Sequence, residues 1–347
     1  MDRRTAAVAA DGVLQPGPIR QPRPGVWSEV GTLRSVLVHR PGSELRATAA
    51  DPERALFSDR VREGEAAAEH GAFTATLRSQ GVETLYLEDL LLDVNRDARR
   101  VGRWLPNLMF TRDPSVWIGD GVACAAMATP VRRREADLFA RVYRDHPRFR
   151  GAPRWTGTGK RPPVFEGGDL LYAGAGRVIV GTGARTTLRG AARLARALIE
   201  ANAAAEVVTL GVPRGAGFHL DLVMTMVDRD KLAIRRGVRP HLRALLWRAR
   251  RFGIRARLLA DPMTAFPDPV ETIELEEERV AGHPLSWDHG INVLTLAPGR
   301  VISYAHNRRS NDRLSAAGIE VLPVRGSMLA RGRGGSRCLT CPVARDP

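Results

Sequence analysis

Short β-branched and leucine-rich runs, each bounded by glycine or proline, alternate along the chain with longer segments of helical spacing. "LLYAGAGRVIVGTGARTT" reads as two strands meeting at a glycine turn. "LRGAARLARALIEANA" follows with apolar residues three and four apart, and "EVVTLGV" supplies a further strand. "NVLTLAPGRVISYAHN" repeats the hairpin, with Gly-Arg-Val-Ile at 176–179 and again at 299–302. A helix in "SNDRLSAAG" and a strand in "EVLPV" come next. The first such unit is "LRSVLVHRPG", a helix near 61–80, and "VETLYL". Hairpins at "PSVWIGDGVACAAM" and "HLDLVMTMVDRDKLAI" bring the units to about five.

A β-β-α-β unit that recurs is built around a common centre, and a closed ring would bring distant residues together at its axis. Residues 1–26, which include "QPGPIRQPRPG", lack apolar periodicity and are expected to form a disordered arm. A single α/β domain is expected over 27–347.

Composition changes this picture little. No apolar run approaches the ~20 residues that span a bilayer. The opening residues lack the apolar stretch of a secretory leader. Three cysteines among 347 residues are too few for a disulfide scaffold. The expectation is a cytoplasmic protein with no membrane partner. A net charge of +15 suggests nucleic acid, but all 53 basic residues except Lys160 and Lys231 are arginine, mostly scattered among acids. Only "RALLWRARRFGIRAR" (243–257) concentrates them. It reads as a solvated helix with Leu245, Leu246 and Phe252 inward, so no nucleic-acid partner is expected.

Three stretches place polar residues where a plain core would not. "NLMFTRDP" offers Asn107, Arg112 and Asp113, the last biased toward extended backbone by Pro114. "FEGGD" offers Glu166 and Asp169 around two glycines, which permit positive φ and close backbone approach. "FHLDLVMTMVD" opens with His219 and Asp221, which in a strand would share a face. Singly, each has an ordinary structural explanation. The tail adds Cys338 and Cys341 at a C-x-x-C spacing, which fits a redox pair, half of a zinc site completed by His289 and His306, or a lone nucleophile. Cys124, in "VACAAM", reads as core.

A thiolate among several carboxylates is unfavourable unless the ligand is itself a cation. A guanidinium is planar, donates from every edge to paired carboxylates, and has an electron-poor carbon open to attack. The set therefore points to cysteine-based substitution at a guanidino carbon, with no cofactor and no metal required.

"NLMFTRDP", "FEGGD", "HLD", "GRGGSRCLTCPVARDP" and "GVWSEVGTLRSVLVHRPGSELR" together resemble the arginine deiminases of the guanidine-modifying superfamily. The resemblance implies a five-bladed α/β propeller (pentein) and hydrolysis of L-arginine to citrulline and ammonia. It makes Cys338 the nucleophile, His219 the general acid and base, and Cys341 a bystander. Asp113 and Asp221 would grip the guanidinium, and Glu166 would bind it while orienting His219. Asn107, Phe110, Arg132, Asp169, Arg185 and Arg333 would complete the substrate site. The chain departs from the family in lacking an inserted helical bundle between "LYLEDLLLDV" and "LPNLMFTRDP", and in Arg337 and Leu222. An amidinotransferase, or a hydrolase of another guanidino compound, is the alternative. The partner expected is a small guanidino substrate, with a homo-oligomer left open.

Overall fold

The computed structural model describes residues 22–94, 105–156, 164–276 and 290–347, and the strands in them form five separate sheets. The repeated unit is seen whole in the middle of the chain. Strands β6 (Leu170–Gly174) and β7 (Arg177–Thr182) pair antiparallel, α5 (Leu188–Glu200) crosses back, and β8 (Glu206–Gly211) lies parallel to β7. The β6–β7 turn runs through left-handed backbone at Gly174, Ala175 and Gly176, with φ of 87°, 48° and 71°. Thr187 starts the helix by accepting a hydrogen bond from the Gly190 amide at 3.0 Å. Helix α5 then buries Ala191, Leu194, Ala195 and Leu198 on the one face its spacing provides.

The same order recurs in β14 (Leu294–Ala297), β15 (Arg300–Tyr304), α6 (Arg308–Ala316) and β16 (Glu320–Val324). At the start, β2 (Leu33–Val38), α2 (Glu63–Ser79) and β3 (Glu83–Tyr86) repeat it, with β2 and β3 parallel. The antiparallel partner of β2 is β17 (Cys341–Arg345), the last strand of the protein. Strand β1 (Gly25–Val26) pairs with the other edge of β17. The expected disordered arm therefore stops short of residue 26: Val26 also exchanges backbone bonds of 2.8 and 2.7 Å with Gly119. Residues 1–21 lie outside the described residues.

Strands β4 (Ser115–Ile118) and β5 (Gly121–Cys124) form a two-stranded sheet beside α4 (Arg133–Asp145). Strands β9 (Met224–Met226), β10 (Lys231–Arg235) and β13 (Glu271–Leu275) form another. Between β10 and β13 the chain makes a hairpin, β11 (Arg243–Arg250) and β12 (Gly253–Leu258), where the sequence suggested a helix. Its apolar residues fit either period. What decides is the open edge of β8, which pairs with β11 along its length, while Gly253 at φ 100° turns the chain. Phe252, expected inward, is 77% exposed. Two shorter helices, α1 (Ala47–Ala50) and α3 (Leu87–Val94), complete the list. No helix among the described residues is long and apolar enough to cross a membrane.

Candidate active site

Strand β17 does more than complete the first sheet: it draws the preceding loop, with Cys338, into the interior. Asn292 Oδ1 accepts from the amides of Gly335 and Cys338, both at 3.1 Å, and Arg112 N donates to the Cys338 carbonyl at 3.3 Å. Thr111 Oγ1 shares its bond between the carbonyls of Leu37 and Leu339, at 2.9 and 3.1 Å. The Asn107–Asp113 stretch is thus tied to the tail from both sides.

The Glu166–Asp169 stretch meets it through Gly167, whose amide donates to the Asp113 carbonyl at 2.9 Å. Neither Gly167 nor Gly168 has positive φ. Glycine is required there by close approach alone: a Cβ on Gly167 would fall 2.1 Å from the Arg112 carbonyl oxygen. His219 has extended backbone, but Leu220–Leu222 form a 3-10 turn and the strand begins only at Met224. The shared pleat face expected for His219 and Asp221 is therefore replaced by a turn. Asp169 creates it, because its Oδ1 accepts from the Leu220 amide at 2.8 Å while Oδ2 accepts from Thr186 Oγ1 at 2.6 Å.

These segments surround a cavity of about 190 Å³. Asn107, Phe110, Asp113, Arg132, Arg185, His219, Arg333 and Cys338 line it, as the sequence suggested, joined by Leu56 and Phe218. Glu166, Asp169 and Asp221 are not among its lining residues; both oxygens of Asp169 are occupied in the wall. Leu56 carried no sequence signal, although its left-handed φ of 67° sets it apart in the structure. Phe218 had one indirect signal, its place beside His219, and the Arg185 guanidinium lies over its ring at 5.0 Å.

Each of the three inner carboxylates has a cationic neighbour. Arg132 Nη1 donates to Asp113 Oδ2 at 2.5 Å and Arg185 Nη1 to Glu166 Oε2 at 3.1 Å; Arg337 Nη1 donates to Asp221 Oδ2 at 2.6 Å. Glu166 is fully used: Oε1 accepts from the Ala128 amide at 3.0 Å, and Oε2 also meets His219 Nε2 at 2.8 Å. It holds the imidazole rather than facing a ligand. Arg132 is similarly engaged, with Glu135 Oε2 at 2.8 Å as well as Asp113. By contrast Asp113 Oδ1, Asp221 Oδ1 and His219 Nδ1 are buried with no partner. Asp113 Oδ1 lies 3.7 Å from His219 Nδ1, and Asp221 Oδ2 lies 3.8 Å from Cys338 Sγ.

Burial alone would lower the His219 pKa, but the carboxylates of Asp113, Glu166 and Asp169 raise it to about 9, giving an imidazolium at neutral pH. Burial would raise Glu166; its bond to His219, with Arg132 and Arg185 nearby, brings it to about 2 instead. Burial and the charges of Asp221 and Asp113 push the Cys338 thiol well above its ordinary value, against Arg337 and Arg112. The cavity is thus lined by a neutral thiol and a cationic imidazole. Burial also brings Asp169 up to about 7.

Asp113, Glu166 and His219 offer ligand atoms within 4.8 Å of one another, a spacing open to a metal ion. Asp113 Oδ2, both oxygens of Glu166 and His219 Nε2 are already spent on hydrogen bonds, so only Asp113 Oδ1 and His219 Nδ1 remain for a metal ion, too few to hold one. Neither tail cysteine belongs to that group. Cys341 Sγ faces Ser115 O at 3.5 Å within the core, and His289, one of the two histidines weighed for zinc, lies outside the described residues. Cys124, Cys338 and Cys341 are all free thiols, and Cys124 packs at the edge of the same core cluster as Cys341.

The fold is the α/β pentein fold of dimethylarginine dimethylaminohydrolases and amidinotransferases. The chain is similar to a Pseudomonas aeruginosa dimethylarginine dimethylaminohydrolase solved in complex with citrulline, with TM-score 0.61, 16% identity, and coverage of 89% of this chain and 99% of that one. It is equally similar to an amidinotransferase from Microseira wollei, with TM-score 0.61, 15% identity, and coverage of 93% and 98%. Closer in sequence is an arginine deiminase from Rhodococcus jostii (strain RHA1), 37% identical over 398 residues, covering 93% of this chain and 98% of the relative. The sequence model of the arginine deiminase family matches residues 53–104 and 103–345. The chain belongs to the arginine deiminase family. The two matched pieces meet at the point where the sequence places the shortened segment, and an alignment longer than this chain's 347 residues means the relative carries residues with no counterpart here.

Proposed function

We propose that this protein hydrolyses L-arginine to L-citrulline and ammonia through a covalent amidino-cysteine intermediate. The observation that carries the proposal is a cavity of about 190 Å³ lined by the Cys338 thiol and by Asp113 and His219, whose Oδ1 and Nδ1 have no hydrogen-bond partner. Asp221 Oδ2 lies 3.8 Å from the sulfur, and Asp221 Oδ1 is likewise unpartnered. A guanidinium supplies the missing donors. Bound between Asp113 and Asp221, it neutralises the charges that keep the Cys338 thiol protonated, so the substrate itself promotes the thiolate. Asn107, Arg333 and the Arg185 nitrogens not bonded to Glu166 are left to meet the α-carboxylate, since Arg132 is spent on both Asp113 and Glu135.

As the guanidinium binds, the Cys338 thiol gives up its proton to solvent, and the thiolate attacks the guanidino carbon, giving a tetrahedral adduct. His219, as imidazolium, donates a proton to one nitrogen; the C–N bond breaks and ammonia leaves an S-linked amidino group. The now neutral imidazole takes a proton from water, and the oxygen attacks the same carbon. The C–S bond then breaks as the added hydroxyl gives up its proton to the departing sulfur, releasing the ureido product and restoring the thiol. Glu166 holds the ring for both steps.

The five sheets, one of them completed by β17, support reading the fold as a five-bladed propeller with this cavity at its centre. Three free thiols suit a reducing, cytoplasmic setting. The test is incubation with L-arginine, alone and with primary amines. Citrulline and ammonia in equal amounts are expected without an acceptor. Turnover only in the presence of an amine, yielding a new guanidine, would make the protein an amidinotransferase instead.

A further inference from the structure

Arg337, immediately before Cys338, is among the largest fully buried side chains, at 1% exposure. Its Nε and Nη2 both donate to Oε1 of Glu29, at 2.9 and 2.8 Å. Nη2 also reaches the Leu170 carbonyl at 2.8 Å, and Nη1 reaches Asp221 Oδ2 at 2.6 Å. Glu29 is buried too, and its own amide donates to the Tyr172 carbonyl at 2.9 Å. We propose that Glu29 and Arg337 are a positioning pair, which fixes the orientation of Asp221 and holds a permanent positive charge behind Cys338. The inference rests on Cys338 being the nucleophile.

Two consequences follow from the bonding. Arg337 occupies Asp221 Oδ2 and so determines that Oδ1 is the oxygen left without a partner. Arg337 is also a guanidinium, the same cation that the cavity is proposed to bind. Freed from Glu29, it could pair with Asp221 through two parallel bonds and displace the substrate from one of its carboxylates. Anchoring Nε and Nη2 on a single Glu29 oxygen leaves only Nη1 for Asp221. Glu29 thereby keeps the protein's own arginine from acting as a competitor.

The electrostatic consequence concerns the thiol. Asp113 precedes β4 and Asp221 lies in the turn before β9; both oppose ionisation of Cys338. Arg337 from the tail and Arg112 from the Asn107–Asp113 stretch favour it. His219 lines the same cavity as an imidazolium, and the Tyr304 phenol on β15 is held in its neutral form by burial. Arg112 is the weaker of the two guanidinium supports, and its own bonds to Arg337 O and Thr340 Oγ1 are long, at 3.4 and 3.5 Å. Removing Arg337 takes away the larger of the two guanidinium supports and leaves Arg112 and the His219 imidazolium against the two acids.

The experiment follows iodoacetamide alkylation of Cys338 against pH, in a Cys341→Ser background, by mass spectrometry of the tail peptide. Arg337→Met should move the ionisation limb upward by about one unit or more. Arg337→Lys, which keeps the charge without the fork, should leave that limb nearly in place. Glu29→Ala should raise KM for L-arginine by about tenfold or more while changing kcat less, the signature of a competing internal cation. Circular dichroism checks folding. If Arg337→Met does not fold, the paired Glu29→Gln/Arg337→Met variant removes the unbalanced acid and reads the same limb. An alkylation profile that superimposes on the parent's in a folded variant overturns the proposal, as does an unchanged KM in Glu29→Ala. Absence of arginine turnover in the parent, with the alkylation shift intact, would count against the substrate and not against this pair.

Discussion

Gly168 and His219 stand closer than any side chain on Gly168 would permit. A Cβ built there falls 2.7 Å from His219 Nδ1 and 2.8 Å from Asp113 Oδ1. Gly168→Ala must therefore move the imidazole or the carboxylate by several tenths of an ångström. Positioning on that scale governs turnover more than folding. A loss of about 10²-fold in kcat/KM is expected, with an overpacking cost of about 1–3 kcal/mol in urea unfolding. Gly71→Ala in α2, where nothing lies within 4 Å of the added carbon, is the control and should keep full activity. Equal activity in the two variants would mean that the imidazole position does not matter to the reaction.

The two aspartates that flank this glycine segment should separate cleanly. Asp113 Oδ1 is unpartnered, whereas both oxygens of Asp169 are occupied by Thr186 and Leu220. Asp113→Asn removes a charged acceptor from the ligand, and a charge-assisted bond of about 1.5–3 kcal/mol corresponds to a KM increase of roughly 10- to 150-fold. Asp169→Asn should instead destabilise the fold by about 1–3 kcal/mol and leave KM near the parent value below the unfolding temperature. Steady-state kinetics beside thermal unfolding reads both. A KM effect confined to Asp169→Asn would return that residue to the substrate site and remove Asp113 from it.

For the tail, Cys338→Ala should lower turnover by about 10⁴-fold or more, because no other thiol among the described residues lines the cavity. Cys341→Ser keeps an atom able to bond Ser115 and Tyr143, which now meet the sulfur at 3.6 and 3.8 Å, and should largely retain activity. Citrulline formation measures both. Survival of Cys338→Ala with loss in Cys341→Ser would reverse the assignment.

Much of this site was legible because its residues sit in short motifs with little structural reason to be polar. Asp113 before Pro114, Glu166 before two glycines, and His219 ahead of an apolar run each broke a local pattern. Asp169 broke it too, yet its task is to shape the turn at Leu220, and a sequence does not reveal which of two nearby acids faces the cavity. The hairpin at 243–258 was misread because its leucines and arginines fit both periods, and only the open edge of β8 chooses between them. Leu56 and the Glu29–Arg337 pair depend on contacts between chain segments far apart in sequence. They emerge only once β17 is seen beside β2.

Protein stability should fall as pH rises from 7.5 to 9, and His219 should account for a measurable part of that slope. Its pKa is raised from 6.5 to about 9 in the folded state, so the folded protein holds a proton that the unfolded chain has released. That contribution is fully present below pH 6.5 and is lost as pH rises through about 9; at its full extent it is on the order of 3 kcal/mol. His39, raised to about 9 by Glu44 and Glu88 against its burial, has the same sign and adds a second share. Asp169 and Glu135, raised to about 7, have lost most of their protons by the lower end of the window and add only a small share of the same sign. The Cys338 thiol adds a share of the same sign, because burial and its acidic neighbours keep it protonated in the folded state while the unfolded chain ionises it at about 8.5. Urea unfolding at intervals across this window should give a negative slope in the parent. His219→Gln and His39→Gln should each make it shallower, and the double variant shallower still. A slope in His219→Gln equal to the parent's would show that the imidazole is not charged at neutral pH, and the proton donor for the departing nitrogen would then have to be sought elsewhere in the site.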